Sequence, residues 1–198
     1  MAYQIDYFYS VLSPFTYLAD NRLDVIAAKY GATVVHKPLD VFKMFSETGG
    51  TPPPKRHPSR QAYRKMDLVR VARRAKLHLN VDPAHWPTDP LPASKFLIAA
   101  QEAGYPMGPL SFSIIRAVWS EEKNIAEVVT LREIAEENDV PFEPVWEAAQ
   151  STGRAFEDNT AEAIRRGVFG APSYVLRDEI FWGHDRLDHL EDALYDLQ

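Results

Sequence analysis

Strand-forming stretches occur only near the two ends of this 198-residue chain. Tyr3 to Tyr9 is aromatic and loosely alternating, which reads as a strand, and Thr33-Val34-Val35-His36-Lys37, closed by Pro38, reads as a second. The next strand signals come at Ser173-Tyr174-Val175-Leu176 and Ile180-Phe181-Trp182, joined by the turn Arg177-Asp178-Glu179. A lone pair of strands is marginal in water. A stable sheet must therefore draw strands from both termini, with the long middle of the chain as an insertion.

Between the first two strands stands Ser13-Pro14-Phe15-Thr16. Serine suits an N-cap and proline the first helical position. Phe15, Leu18, Ala19, Leu23, Ile26 and Tyr30 fall on one face of a single helix running to about Tyr30, with Gly31 ending it. Strand, helix and strand make a right-handed βαβ unit. It places the Ser13 hydroxyl at the positive end of a helix and the carboxyl edge of a strand, a good position to hold an anion. On pattern alone, Ser-Pro before an apolar helix is equally an ordinary helix start.

The middle changes composition. Thr48 to Pro54 is a Gly/Pro loop. Lys55, Arg56, Arg60, Arg64, Lys65, Arg70, Arg73, Arg74 and Lys76 follow, with Asp67 the one acid, and Gln61 to Lys76 reads as a helix with Leu68, Ala72 and Ala75 on one face. This basic stretch is either a solvated helix face or a surface that attracts an anionic small molecule. Val81 to Pro92 is an extended connection whose Trp86 either packs on the core or lines a pocket. Ser94 to Ala103, Leu110 to Trp119, Ile125 to Glu137 and Pro144 to Gln150 read as helices. Asn159-Thr160-Ala161-Glu162 fits a capping box for a helix ended by Gly167, and Asp185 suits the cap of a last helix with Leu187, Leu190, Leu194 and Leu197 on one face.

Composition excludes several functions. Net charge is −6, which argues against a general nucleic-acid binder. No apolar run approaches the ~20 residues a membrane helix needs. Met1-Ala2-Tyr3-Gln4-Ile5-Asp6 lacks the basic-then-apolar form of a signal peptide, so a cytoplasmic location is expected. There is no cysteine, hence no disulfide, no dithiol redox chemistry and no protein thiol nucleophile. The six histidines show no pair at metal-ligand spacing, and no metal is expected. Ser13 as a hydrolase nucleophile lacks a Gly-x-Ser-x-Gly elbow.

With the helical middle set aside, the order is β-α-β then α-β-β-α. That is an α/β, thioredoxin-like fold with a large all-helical domain inserted after the second strand. Residues 1–40 and 155–198 would form the thioredoxin-like part, and 41–154 the insertion.

The chain resembles the 2-hydroxychromene-2-carboxylate isomerases and kappa-class glutathione transferases of the DsbA-like branch. The motifs are Tyr7-Phe8-Tyr9 with Leu12-Ser13-Pro14-Phe15-Thr16-Tyr17-Leu18-Ala19, Thr48-Gly49 with Pro52-Pro53, Tyr63 with Asp67-Leu68, Gly167-Val168-Phe169-Gly170-Ala171-Pro172-Ser173, and Gly183-His184-Asp185-Arg186-Leu187. The resemblance implies glutathione as cofactor and a cis peptide at Pro172. Ser13 would face the glutathione sulfur. Ala171, before Pro172 in the same cofactor-binding loop, would pair through its backbone with the cysteinyl unit, Asp185 and Arg186 would hold the γ-glutamyl end, and Arg60 would stand near the glycyl carboxylate. His184 is a candidate polar contact by its place before Asp185. The chain departs from the family pattern at Leu39-Asp40, usually Gly-Gly, at Gly50, usually Asn, and at Ala171, usually a larger aliphatic residue.

The activity implied is cis–trans isomerisation of a small anionic, aromatic-derived substrate by thiolate addition, bond rotation and elimination. The alternatives are kappa-type transfer, which keeps the adduct, and a non-catalytic glutathione-binding module. Related enzymes are homodimers, so a homodimer is expected. Where a thioredoxin-like oxidoreductase has its two cysteines, this chain has Ser13 and Thr16, so the thiol must come from outside.

Overall fold

The computed structural model describes residues 3–19 and 21–198. Met1 and Ala2, the start of the segment read above as carrying no leader, lie outside the described residues, as does Asp20. The chain begins with β1 (Gln4–Tyr9), α1 (Pro14–Tyr17), α2 (Arg22–Tyr30) and β2 (Thr33–Pro38). Six helices follow: α3 (Val41–Thr48), α4 (Pro58–Ala75), α5 (Leu91–Glu102), α6 (Met107–Trp119), α7 (Val128–Glu137) and α8 (Phe142–Ala149). It closes with α9 (Gly153–Arg165), β3 (Ser173–Leu176), β4 (Glu179–Trp182) and α10 (Leu187–Tyr195).

The two ends build one sheet in the order β2-β1-β3-β4. β1 runs parallel to β2, with Gln4 opposite Thr33 and Tyr9 opposite Pro38. On its other side it runs antiparallel to β3, with Ile5 opposite Leu176 and Phe8 opposite Ser173. A central strand covered on both faces is buried along its length, and Ile5 to Tyr9 are all buried, apolar or aromatic except for the ion-paired Asp6. β2 is an edge, and its exposed backbone is met by a side chain: the His36 N–H donates to Gln101 Oε1 at 2.7 Å, and Gln101 Nε2 donates to the His36 carbonyl at 3.0 Å. Among the described residues, no helix is long and apolar enough to cross a membrane.

The period-2 alternation of β1 divides the core. Ile5, Tyr7 and Tyr9 point into a large cluster that continues through Phe96, Leu110, Trp119 and Leu131 of the inserted helices without interruption. Phe8 joins Leu39, Met44, Ala163, Val168 and Val175 on the opposite face, under α3 and α9. Asp6 shares that second face. It pairs with Arg166 at 2.5 Å and Lys37 at 3.4 Å, and Lys37 also pairs with Glu162 at 2.6 Å. Burial alone would raise the Asp6 carboxyl, but the hydrogen bonds from Arg166 and Gln4 and the charge of Lys37 hold it below its ordinary value.

Four expectations change. The helix predicted from Pro14 to Tyr30 is two helices. The Ala19 N–H is shared between the carbonyls of Phe15 and Thr16, the tighter spacing that closes a helix, and Leu18 and Ala19 turn into the core. α3 was not predicted; Asp40 caps it, accepting from the N–H groups of Phe42 and Lys43 at 2.9 and 3.0 Å. Asn159 to Glu162 is no capping box but the middle of α9. Thr160 returns its hydroxyl to the Phe156 carbonyl and accepts the Asp40 N–H, while Asn159 donates to the Pro38 carbonyl. Asp185 does not cap α10, whose N-cap is Arg186 without a side-chain bond.

Candidate active site

The carboxyl end of β1 turns sharply into α1. The Ser13 N–H donates to the Ser10 carbonyl at 3.0 Å and the Leu12 N–H to Ser10 Oγ at 3.2 Å. Ser13 is extended, at φ −89° and ψ 120°, and its Oγ accepts the Thr16 N–H at 3.3 Å, the bond expected of an N-cap. The same hydroxyl donates to the Ala171 carbonyl at 3.3 Å. Both distances lie beyond the usual hydrogen-bond range, so the bond to the Ala171 carbonyl is weak and the hydroxyl proton is cheaply released from it to a better acceptor.

Ala171–Pro172 is a cis peptide, as the resemblance implied, and the Ser13 bond brings its loop against the start of α1. A Cβ on Gly170 would meet Trp182 Nε1 at 2.2 Å, so glycine lets that indole lie directly against the loop. Ser173 Oγ pins the loop by donating to the Gly170 carbonyl at 2.8 Å.

Above Ser13 and Ala171 opens a cleft of about 390 Å³. One wall is apolar, from Val41, Phe42 and Phe45 of α3. Trp86 forms part of another, so it both lines the cleft and packs on the core: its Nε1 donates to the Leu12 carbonyl at 3.0 Å, and its ring lies 5.8 Å from that of Trp119. Asp185 and Arg186 stand together at one rim, paired at 2.7 Å and solvent-exposed. His184 lines the cleft with its ring stacked on Phe15 at 5.3 Å, and burial lowers its pKa, which favours the neutral imidazole.

Two further arginines add positive charge to the lining. Arg56 and Arg64 line the cleft, whereas Arg60 is exposed and outside its lining. Arg56 Nε donates to the Thr51 carbonyl at 2.7 Å. The Arg64 guanidinium lies 5.7 Å from the Trp86 ring and 5.9 Å from that of Trp119. Burial, then the charge of a neighbouring arginine, lowers the pKa of both: Arg60 acts on Arg56, and Arg56 on Arg64. Among the described residues neither has a salt bridge to a carboxylate. The signal for Arg64 was present in the sequence, since it lies one turn before the inward-facing Leu68. The α3 wall was missed although Asp40 before Val41-Phe42 and Gly49 after Thr48 are helix start and stop signals in the sequence.

Of the residues singled out in sequence, Ser13, Ala171, Asp185 and Arg186 line this one cleft. Pro172 sits beside it in the cis bond.

The comparisons with known proteins agree with this layout. The family profile described as a DSBA-like thioredoxin domain matches residues 4–195. A 2-hydroxychromene-2-carboxylate isomerase of Pseudomonas putida is 31% identical over 196 residues, covering 96% of this chain and 93% of that protein. The enzyme of the same description from Pseudomonas sp. (strain C18) is 30% identical over 96% of this chain and 89% of its own length. A solved 2-hydroxychromene-2-carboxylate isomerase superposes with a TM-score of 0.78 at 26% identity, covering 98% of this chain and 95% of the other.

Proposed function

The chain belongs to the family of DSBA-like thioredoxin domains and groups there with the 2-hydroxychromene-2-carboxylate isomerases, and from that premise we propose that it is a glutathione-dependent cis–trans isomerase of 2-hydroxychromene-2-carboxylate-type intermediates. One observation carries the cofactor. In a chain without cysteine, the hydroxyl of Ser13 lies at the base of the cleft against the cis-Pro172 loop, where this fold otherwise does thiol chemistry.

The donor set fits a tripeptide thiol. Asp185 and Arg186 can hold an amino-acid head, the Ala171 carbonyl can accept an amide N–H, and Arg56 and Arg64 offer a carboxylate two guanidinium groups. Bound there, glutathione supplies the thiol sulfur that the chain lacks, a nucleophile able to add to a conjugated carbon–carbon double bond and leave it again. Ser13 acts by turning its proton from the Ala171 carbonyl toward the sulfur position, while the Thr16 N–H stays on Oγ and fixes the hydroxyl. Phe42, Phe45 and Trp86 keep water off that position and offer flat apolar surface to a ring.

Magnitudes favour Ser13 as the main contributor. Lowering a thiol from its usual pKa of ~8.5 by about two units takes about 2.7 kcal/mol. A hydrogen bond to a charged group gives roughly 1.5–3 kcal/mol. α1 has four residues, so its dipole gives no more than the low end of the ~0.3–1 kcal/mol of a full helix terminus.

The test is retention on immobilised glutathione together with an isomerase assay on 2-hydroxychromene-2-carboxylate, with and without glutathione. Retention and strictly glutathione-dependent turnover are expected. Arg56→Gln should weaken retention and Arg60→Gln should leave it unchanged. Turnover without glutathione, or no retention, overturns the reading.

A further inference from the structure

A small cavity of about 20 Å³ lies between the first βαβ unit and α6. Tyr7, Thr16, Asp24 and His36 bring polar groups to it from the βαβ unit, and Ser111 brings one from α6. Thr16 lines this cavity and not the cleft above Ser13. We propose that the cavity binds one ordered water, held by Thr16, His36 and Asp24, and that through it Thr16 acts as a positioning residue for Ser13. The positioning role rests on the function proposed above; the water site does not.

Two buried polar atoms carry the site. Thr16 is 4% exposed and His36 5%, and among the described residues neither Thr16 Oγ1 nor His36 Nδ1 meets a hydrogen-bond partner. Neither side chain can turn out to solvent. Thr16 is fixed in the single turn of α1, and His36 by its two backbone bonds to Gln101 and by the rings of Tyr7 and Tyr9. Buried donors and acceptors are almost always paired, and cavities that stay dry are apolar. This one has room for a single water and for nothing larger. Asp24 supplies a third contact. A Cβ on Gly108 would meet Asp24 Oδ2 at 1.9 Å, so glycine lets the carboxylate lie against the first turn of α6, beside the cavity. Burial raises the pKa of that carboxyl, with no cation beside it to offset the rise. Ser111 is already engaged, since its hydroxyl donates to the Gly108 carbonyl at 3.2 Å.

Donors and acceptors then balance. The Thr16 hydroxyl donates to the water oxygen. The water donates one hydrogen to Nδ1 of the neutral His36 and the other to the Asp24 carboxylate. About three bonds are the usual complement of a buried water. The link to the chemistry is short: the Thr16 N–H donates to Ser13 Oγ at 3.3 Å, so the residue braced by the water is the one that holds the Ser13 hydroxyl.

The test is a crystal structure of the parent, Thr16→Val and Thr16→Ser at a resolution that shows ordered water, with the thiolate absorbance of bound glutathione titrated on the same three proteins. The parent should hold a water at about 2.7–3.2 Å from both Thr16 Oγ1 and His36 Nδ1. Thr16→Val, which keeps the shape without the hydroxyl, should lose it, and Thr16→Ser should keep it. Imidazole nitrogen NMR of the parent should find the His36 proton on Nε2. A parent without that water, a bound cation in its place, or a proton on Nδ1 overturns the site, and the parent alone suffices for this reading. The thiolate should form at a higher pH in Thr16→Val than in the parent and at the parental pH in Thr16→Ser. A parental titration in Thr16→Val overturns the positioning role. Failure of the parent to bind glutathione would instead sink the cofactor reading and leave the water site standing on its own crystallographic result.

Discussion

His36 shows what burial does to a single side chain. It sits in β2 with its ring edge-on to Tyr7 and Tyr9, at 5.3 and 5.7 Å, and its Nδ1 finds no hydrogen-bond partner. Burial pushes its pKa from 6.5 down to about 4. In the unfolded chain it takes up a proton near pH 6.5, but in the folded chain only near 4. Between these values the unfolded state holds more protons, so stability is lost as pH falls through that window and the loss is complete below about 4. The size is roughly 3 kcal/mol. Urea midpoints measured at neutral pH and near pH 5 should fall less for His36→Gln than for the parent; equal falls would show that His36 is not buried neutral. None of this was legible in the sequence, where His36 is one of six histidines without metal-ligand spacing. Ser13, Ala171 and Asp185 were legible because local motifs name them. Arg56 replaced Arg60 at the cleft because the path of the Pro-rich loop before α4 is set by packing, not by motif.

Elements were legible where their signals are local. The strands at both ends, the cap at Ser13 and the turn at Gly167 follow from residues near in sequence. α9 was misread because Asn159, Thr160 and Glu162 look like a helix start, yet each reaches across the chain to the end of β2 or just beyond: Asn159 to Pro38, Thr160 to Asp40 and Glu162 to Lys37. Those partners are far away in sequence, so the polar pattern could not reveal them. The same junction positions α3, the apolar wall of the cleft, through the cap at Asp40. Asp40→Ala should lower stability by about 0.5–2 kcal/mol. It should also weaken the hold on the ring-bearing substrate more than the hold on glutathione, because Phe42 and Phe45 follow directly. Chemical denaturation with paired binding measurements checks this; unchanged stability would mean that the cap contributes nothing.

At the scale of the whole molecule, the order of elements carried most of the fold. Two strands from each end can complete a sheet only by meeting, and β1 meets β2 on one side and β3 on the other. How the helical middle packs was not legible, because its helices share one continuous core with the sheet and only the folded chain brings them together. That meeting of the ends is also what makes the site: Ser13 comes from one end, Ala171 and Asp185 from the other, and Arg56 and Arg64 from the middle. The central claim is that this cysteine-free assembly borrows a thiol and ionises it with Ser13. The most direct measurement is the pH titration of the ultraviolet thiolate absorbance of glutathione bound to the parent and to Ser13→Ala. The account predicts a thiolate that forms well below the usual thiol range in the parent, and at a pH about one to two units higher in the variant, with glutathione affinity at neutral pH changed far less. A thiolate that titrates at the same pH in both proteins would make Ser13 a helix cap alone and contradict the mechanism.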